Sequence, residues 1–347
     1  MTVTVAGAGM AGLVAAARLR ELGHDVRVVE KGTRAGGSML LSSCVIWRHL
    51  DWERFRAECP GGDQRLQRLV WERLDDALGW LESLGAEPVW RDTENPLTTG
   101  RRYDPRALTS LLTRAAGGAI ELGTPLPACA ATRAAAPLVL ATGGFPGRLA
   151  RGRGLLLRAN PWSDGGGLDL ARARGAGTAG ALDEFYGRVM PAPPARIREE
   201  DFVPLAQLYG REARVLTDGG EDATPAEVAW HENDLAALVG RFGPAGAWYV
   251  VERTNDRIEA ARAAGATVTD RAGGRVAVHV VAAVTHTIGG LRVDGDACVL
   301  GEDGEPLPGL WAAGVDAGGV ATGGYASGLA QALVLGLAAA ESAAASV

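Results

Sequence analysis

Cysteine is scarce in this chain, and its four copies, Cys44, Cys59, Cys129 and Cys298, form no CxxC pair and no metal-ligand spacing. They read as free thiols of a reducing compartment, with no disulfide framework and no metal site expected. Concentrated charge is missing too. The 35 basic and 41 acidic residues are scattered, leaving a net charge of −6, so no basic face points to nucleic acid or to an anionic membrane. No basic stretch precedes an apolar one at the start, and a cytoplasmic location is the expectation. The most apolar run, 326–345, is interrupted by Gln331 and Glu341, which suits a buried helix better than a membrane span. What remains is a soluble α/β chain of 347 residues, long enough for two domains and a large core.

What is present begins at once. Residues 3–12, VTVAGAGMAG, read as a strand running into Gly7-x-Gly9-x-x-Gly12, and VRVV at 26–29 ends in Glu30. This is the opening of a dinucleotide-binding βαβ unit. Gly7 permits the tight turn, Gly9 lets the backbone approach a pyrophosphate, and Gly12 lets the helix pack close to the sheet. The pyrophosphate would sit on the N-terminus of a helix over 11–22, where unpaired N–H groups favour an anion. Glu30 can accept hydrogen bonds from both hydroxyls of an adenosine ribose and repels a 2′-phosphate.

Further along, a Gly/Ser-rich loop (KGTRAGGSMLLSS) follows the second strand. Apolar residues at helical spacing predict a helix over 64–84, stopped by Gly85. Asp104 followed by Pro105 predicts a second helix over 105–116. Short strands are expected at 120–122 and 138–141, the latter ending in Thr142-Gly143-Gly144, and a Gly-bounded helix within 165–177. From about 182 to 275 prolines and charged clusters break the pattern, as in an inserted lid-like domain. A strand at 310–313 and a last helix from about 328 close the chain. The expected division is 1–185, 186–275 and 276–347: a Rossmann-like domain in two pieces around an α+β capping domain.

Several stretches in order carry a family likeness: VAGAGMAGLVAA, VVEKGTRAGGSMLLSS, LVLATGGF, DGGGLDLARARGAG, VTHTIGGLRVD and PLPGLWAAGVDAGGVATGGYASGLAQALVLG. With these the chain resembles the fumarate reductase/succinate dehydrogenase flavoprotein family, closest to the branch of 3-ketosteroid Δ1-dehydrogenases and tricarballylate dehydrogenase. The resemblance implies FAD, a flavin domain split by a cap, and redox chemistry at a carbon–carbon bond beside an electron-withdrawing group. It implies cofactor contacts from Gly7, Gly9, Met10, Ala11 and Gly12, and from Glu30 and Lys31. Further contacts are implied from Gly36, Gly37, Ser38 and Ser42, from Thr142, Gly143 and Asp164, and from Gly314, Asp316, Ser327, Gly328 and Leu329. The amides of Gly328 and Leu329, at a helix start, would face the flavin pyrimidine oxygen. No histidine stands in GGSMLLSS, so non-covalent FAD is expected.

Departures from the family pattern narrow the substrate. Met190 and Ala321 stand where dicarboxylate enzymes keep a histidine and an arginine, and neither replaces a charged clamp. His286 is retained, either facing substrate or as a structural side chain. Arg214 is read as a proton donor or a surface arginine, and Tyr325 and Tyr186 as acid–base groups or packing aromatics. Trp47 and Trp52 hint at an apolar or aromatic substrate. With a single dinucleotide fingerprint, electrons are expected to pass to or from an external partner. The expected activity is a flavin-dependent dehydrogenase or reductase of a small non-dicarboxylate molecule. An oxygen-using flavoprotein is the alternative.

Overall fold

A computed structural model describes residues 2–126, 137–206, 210–255 and 257–346. Cys129 and the short 120-to-138 connection fall partly outside these residues. The chain divides into two compact units: one of 1–145, 160–184 and 286–347, the other of 146–159 and 185–285.

The first unit is built on a six-stranded sheet in the order Cys298–Leu300, Pro306–Ala312, Leu138–Leu140, Val3–Ala6, Val26–Val29, Ile120–Glu121. All neighbours are parallel except the first pair. Val3–Ala6 and Leu138–Leu140 are apolar almost throughout, as strands covered on both faces require. Helix Met10–Glu21 and the last helix, Gly328–Ser346, pack on each other closely enough that a Cβ at Gly336 would lie 2.8 Å from the Ala11 carbonyl oxygen. That approach explains the alanine and glycine content of both. Gly328–Ser346 is long and apolar enough to cross a membrane, yet 67% of it is buried within the protein.

Helix Gln64–Ser83 begins where Asp63 caps the amides of Arg65 and Leu66, and buries Leu66, Val70, Leu74, Leu78 and Leu81 along one face. Helix Pro105–Ala115 starts at Asp104 with proline at its first position, as the sequence predicts. A small antiparallel sheet, Val45–His49, Thr98–Tyr103 and Pro88–Trp90, completes this unit.

The second unit centres on an antiparallel sheet ordered Phe185–Pro191, Arg275–Thr287, Ala247–Glu252, Arg214–Thr217, with helices Pro146–Arg153, Asn233–Arg241 and Arg257–Ala263. It differs from the expected insertion of 186–275 at both ends. Residues 146–159 belong to it because Leu156 and Leu157 pair with Ala283 and Val284. It extends to 285 because the strand expected to open the last segment is its second strand.

Candidate cofactor-binding site

The first turn shows why each glycine stands where it does. Gly7 has φ +105°, and a Cβ there would lie 2.1 Å from the Ala141 carbonyl oxygen. A Cβ at Gly12 would lie 1.8 Å from the Gly7 carbonyl oxygen. Both positions are closed by backbone. Gly9 is different: its backbone is extended (φ −79°, ψ −172°), and a Cβ would meet only the Gly37 Cα, at 3.8 Å. The space before Gly9, at the start of the helix that carries Met10 and Ala11, is open. A ligand cradle needs that opening.

Around it the other expected residues gather. Gly36, with φ +106°, bridges Gly9 and donates its amide to Ala8. Glu30 is 5% exposed, and its two oxygens accept the Ala8 amide at 2.8 Å and the Gly32 amide at 2.6 Å. Each oxygen keeps a second lone pair, as ribose recognition requires. Lys31 and Asp164 pair with each other at 2.6 Å. Ser38 accepts the Asn160 amide, and Ser163 donates to the Thr142 carbonyl. Ser42 bonds locally to the Met39 carbonyl and the Cys44 amide.

Asp316 lies beside the turn that follows Leu138–Leu140. Its buried carboxylate is turned onto the turn at 142–144, accepting the Thr142 amide, the Thr142 hydroxyl at 2.9 Å and the Gly144 amide at 3.1 Å. In this arrangement the carboxylate ties two turns together. Burial raises its pKa against the pull of those donors.

At the last helix, Ser327 accepts the Ala330 amide as an N-cap. Helix geometry leaves the Gly328 and Leu329 amides without intrahelical partners. The His286 imidazole lies against this start: a Cβ at Gly328 would be 3.1 Å from its Nε2. Nδ1 stands 3.2 Å from the Thr287 carbonyl oxygen. Burial pushes this histidine down to about 4, so the ring is neutral at physiological pH.

Sequence reasoning missed the side chains that hold the segment 314–325. Gln331 donates to the Gly314 and Ala317 carbonyls, both at 2.8 Å. Gln67 donates to the Cys59 and Val320 carbonyls, His49 to the Tyr325 carbonyl, and Glu184 accepts the Gly323 amide. Tyr325 packs on Trp47 with ring centroids 5.3 Å apart. Trp52 packs on Phe55 and Trp71. No signal in the sequence tied these distant polar residues to that segment. Cys44 and Cys59 are buried, which pushes both thiols up to about 12, the behaviour of inert packing residues.

Two expected catalytic residues lie in the second unit. Tyr186 stands on strand Phe185–Pro191. Arg214 corrects its reading as a proton donor: it is an exposed strand residue paired with Asp222 at 2.8 Å, the surface alternative. Met190 and Ala321 are each buried in an apolar core.

The residues fit FAD: an open cradle before Gly9, a carboxylate with free lone pairs at the second strand tip, and unpartnered amides at Gly328 and Leu329. Residues 5–43 match the NAD(P)-binding Rossmann-like domain, and residues 242–329 match the FAD binding domain. No curated protein matches the sequence at a significant level. The fold matches the open conformation of a flavocytochrome c3 fumarate reductase, with TM-score 0.74 and 19% identity over 99% of this chain and 78% of that one. It also matches 3-ketosteroid delta1-dehydrogenase from Sterolibacterium denitrificans in complex with 1,4-androstadiene-3,17-dione (TM-score 0.74, 16% identity, 100% of both chains). A third match is 3-ketosteroid-delta4-(5alpha)-dehydrogenase from Rhodococcus jostii RHA1 (TM-score 0.66, 19% identity, 99% of this chain and 96% of that one). At such identities the likeness is one of fold. These observations define an α/β fold like that of fumarate reductase and the 3-ketosteroid dehydrogenases, with one segment that matches an FAD binding domain.

Proposed function

We propose that the protein is an FAD-dependent dehydrogenase or reductase acting on a small, non-dicarboxylate molecule at a carbon beside a carbonyl or imine group. The observation that carries this reading is the His286 imidazole, neutral at physiological pH and lying against the N-terminus of helix Gly328–Ser346. Bound non-covalently, FAD supplies hydride exchange at N5. The chain supplies the rest. The Gly9 opening and Glu30 hold the adenosine and pyrophosphate half. The Gly328 and Leu329 amides, at the start of helix Gly328–Ser346, would offer positive potential to the flavin end of the cofactor. His286, kept neutral and made a weak base by burial, would serve more to orient a substrate than to take up its proton. Electrons pass to or from an external partner.

Substrate charge is inferred from Met190 and Ala321, which the family resemblance sets where dicarboxylate enzymes keep a histidine and an arginine. A dianion would be desolvated with those two counter-charges absent, a cost of several kcal/mol against the roughly 4 kcal/mol that millimolar binding supplies. The test is anaerobic: oxidised holoprotein is mixed with candidate ketones, imines and monocarboxylates while the flavin absorbance band is followed. Bleaching is expected with a neutral, monoanionic or zwitterionic compound, and none with succinate. Saturable turnover of fumarate by the reduced protein overturns the charge argument and points to Arg211 or Arg292 as a substitute clamp. Rapid reoxidation by air, coupled to peroxide or a hydroxylated product, would favour an oxygen-using flavoprotein instead.

A further inference from the structure

We infer that Trp162 forms one wall of the adenosine subsite, giving the dinucleotide an indole surface beside Glu30. This rests on the FAD reading above and adds to it a residue that the glycine fingerprint does not include. The six-membered ring of Trp162 lies directly on Gly32. A Cβ at Gly32 would be 2.3 Å from its Cε3 and 2.7 Å from its Cδ2 and Cζ3. Gly32 in turn donates its amide to Glu30. The half-buried indole is therefore one residue's breadth from the carboxylate that marks the ribose.

Its position is held from several sides. The Trp162 amide donates to the Asn160 side chain at 3.2 Å, and the Asn160 amide to Ser38 at 3.0 Å. Ser163 reaches the Thr142 carbonyl at 3.3 Å. Asp164 pairs with Lys31, the only lysine in the chain. The loop 160–164 is thus stitched to three turns around the Gly9 opening, and a glycine at 32 is what lets the indole come so close. A rigid aromatic plane next to a ribose-binding carboxylate offers a purine a stacking face, a contact that does not depend on hydrogen-bond pattern.

Flavin-stripped full-length protein is titrated with FAD, ADP and FMN, which lacks the adenosine half. Trp162→Ala is expected to raise the dissociation constants of FAD and ADP about tenfold, equivalent to about 1.4 kcal/mol, and to leave FMN unchanged. Trp162→Phe is expected to restore most of the affinity. FAD and ADP binding within twofold of wild type in Trp162→Ala overturns the inference, as does equal weakening of FMN. If Trp162→Ala does not fold, indole fluorescence decides. ADP should quench the wild type and leave Trp162→Phe unquenched, and equal quenching in both overturns the inference. A wild type that binds no FAD sinks the flavoprotein reading itself, an outcome distinct from a wild type and Trp162→Ala that bind it alike.

Discussion

At the first turn of the sheet unit, 7–12, backbone packs on backbone: Gly7 and Gly12 are closed by carbonyl oxygens, and only Gly9 looks into space. At the segment 314–325 the holding is done by side chains, Gln331 from the helix that follows and Gln67, His49 and Glu184 from far along the chain. The glycine spacing of the first arrangement is written within six residues, although the carbonyl that closes Gly7 belongs to Ala141. The second draws on residues that lie up to about 270 positions from the segment. A short-range device can be recognised from spacing alone, whereas a long-range clasp is visible only once the chain has folded.

The sharpest break in this comparison comes within the first turn. Gly12→Val should give no folded protein, because its Cβ would have to sit 1.8 Å from the Gly7 carbonyl oxygen. Gly9→Val should fold with a melting temperature near wild type and yet purify without flavin. Circular dichroism and flavin absorbance separate the two. Flavin-replete Gly9→Val would show that the cradle lies elsewhere.

Next in size is His286→Ala, where the loss should be catalytic. FAD stays bound, while substrate-dependent flavin reduction falls on the order of 10²- to 10⁴-fold, the usual worth of one positioned acid–base or orienting group. The same variant carries a pH signature. The native ring titrates at about 4 and an unfolded histidine near 6.5. Between those values the unfolded chain binds the proton and the native one does not, so wild-type stability falls as pH drops from about 6.5 to about 4. His286→Ala should lose that part of the slope in denaturant titrations at stepped pH. Wild-type turnover in the variant would return His286 to a structural role.

The smallest effect tests the clasp. Gln331→Met removes the donor to two carbonyls while keeping volume, and should cost about 1–3 kcal/mol. Thermal melts with and without FAD check it. An unchanged melting temperature would mean that the other members of the clasp carry the segment alone.

Much of the sheet unit was readable beforehand for the same local reason. Asp63 and Asp104 stand at helix starts because a short carboxylate caps the amides just after it, and Val3–Ala6 and Leu138–Leu140 are uniformly apolar because both faces are covered. The second unit was readable only as a change of composition. Its membership of 146–159 depends on Leu156 and Leu157 pairing with a strand more than a hundred residues away, and no local pattern encodes such a partner.

The sequence by itself determined the glycine turn, the acid at the second strand tip, the amide-bearing start of the last helix and the apolar residues at positions 190 and 321. Each follows from a residue type at a short, fixed spacing. The tertiary structure alone decided that Asp316 turns inward onto Thr142 and Gly144, that Arg214 is exposed beside Asp222, that the His286 ring lies against Gly328, and that Trp162 lies on Gly32. Those outcomes are set by burial and by partners remote along the chain, and both come into being only when the chain closes on itself.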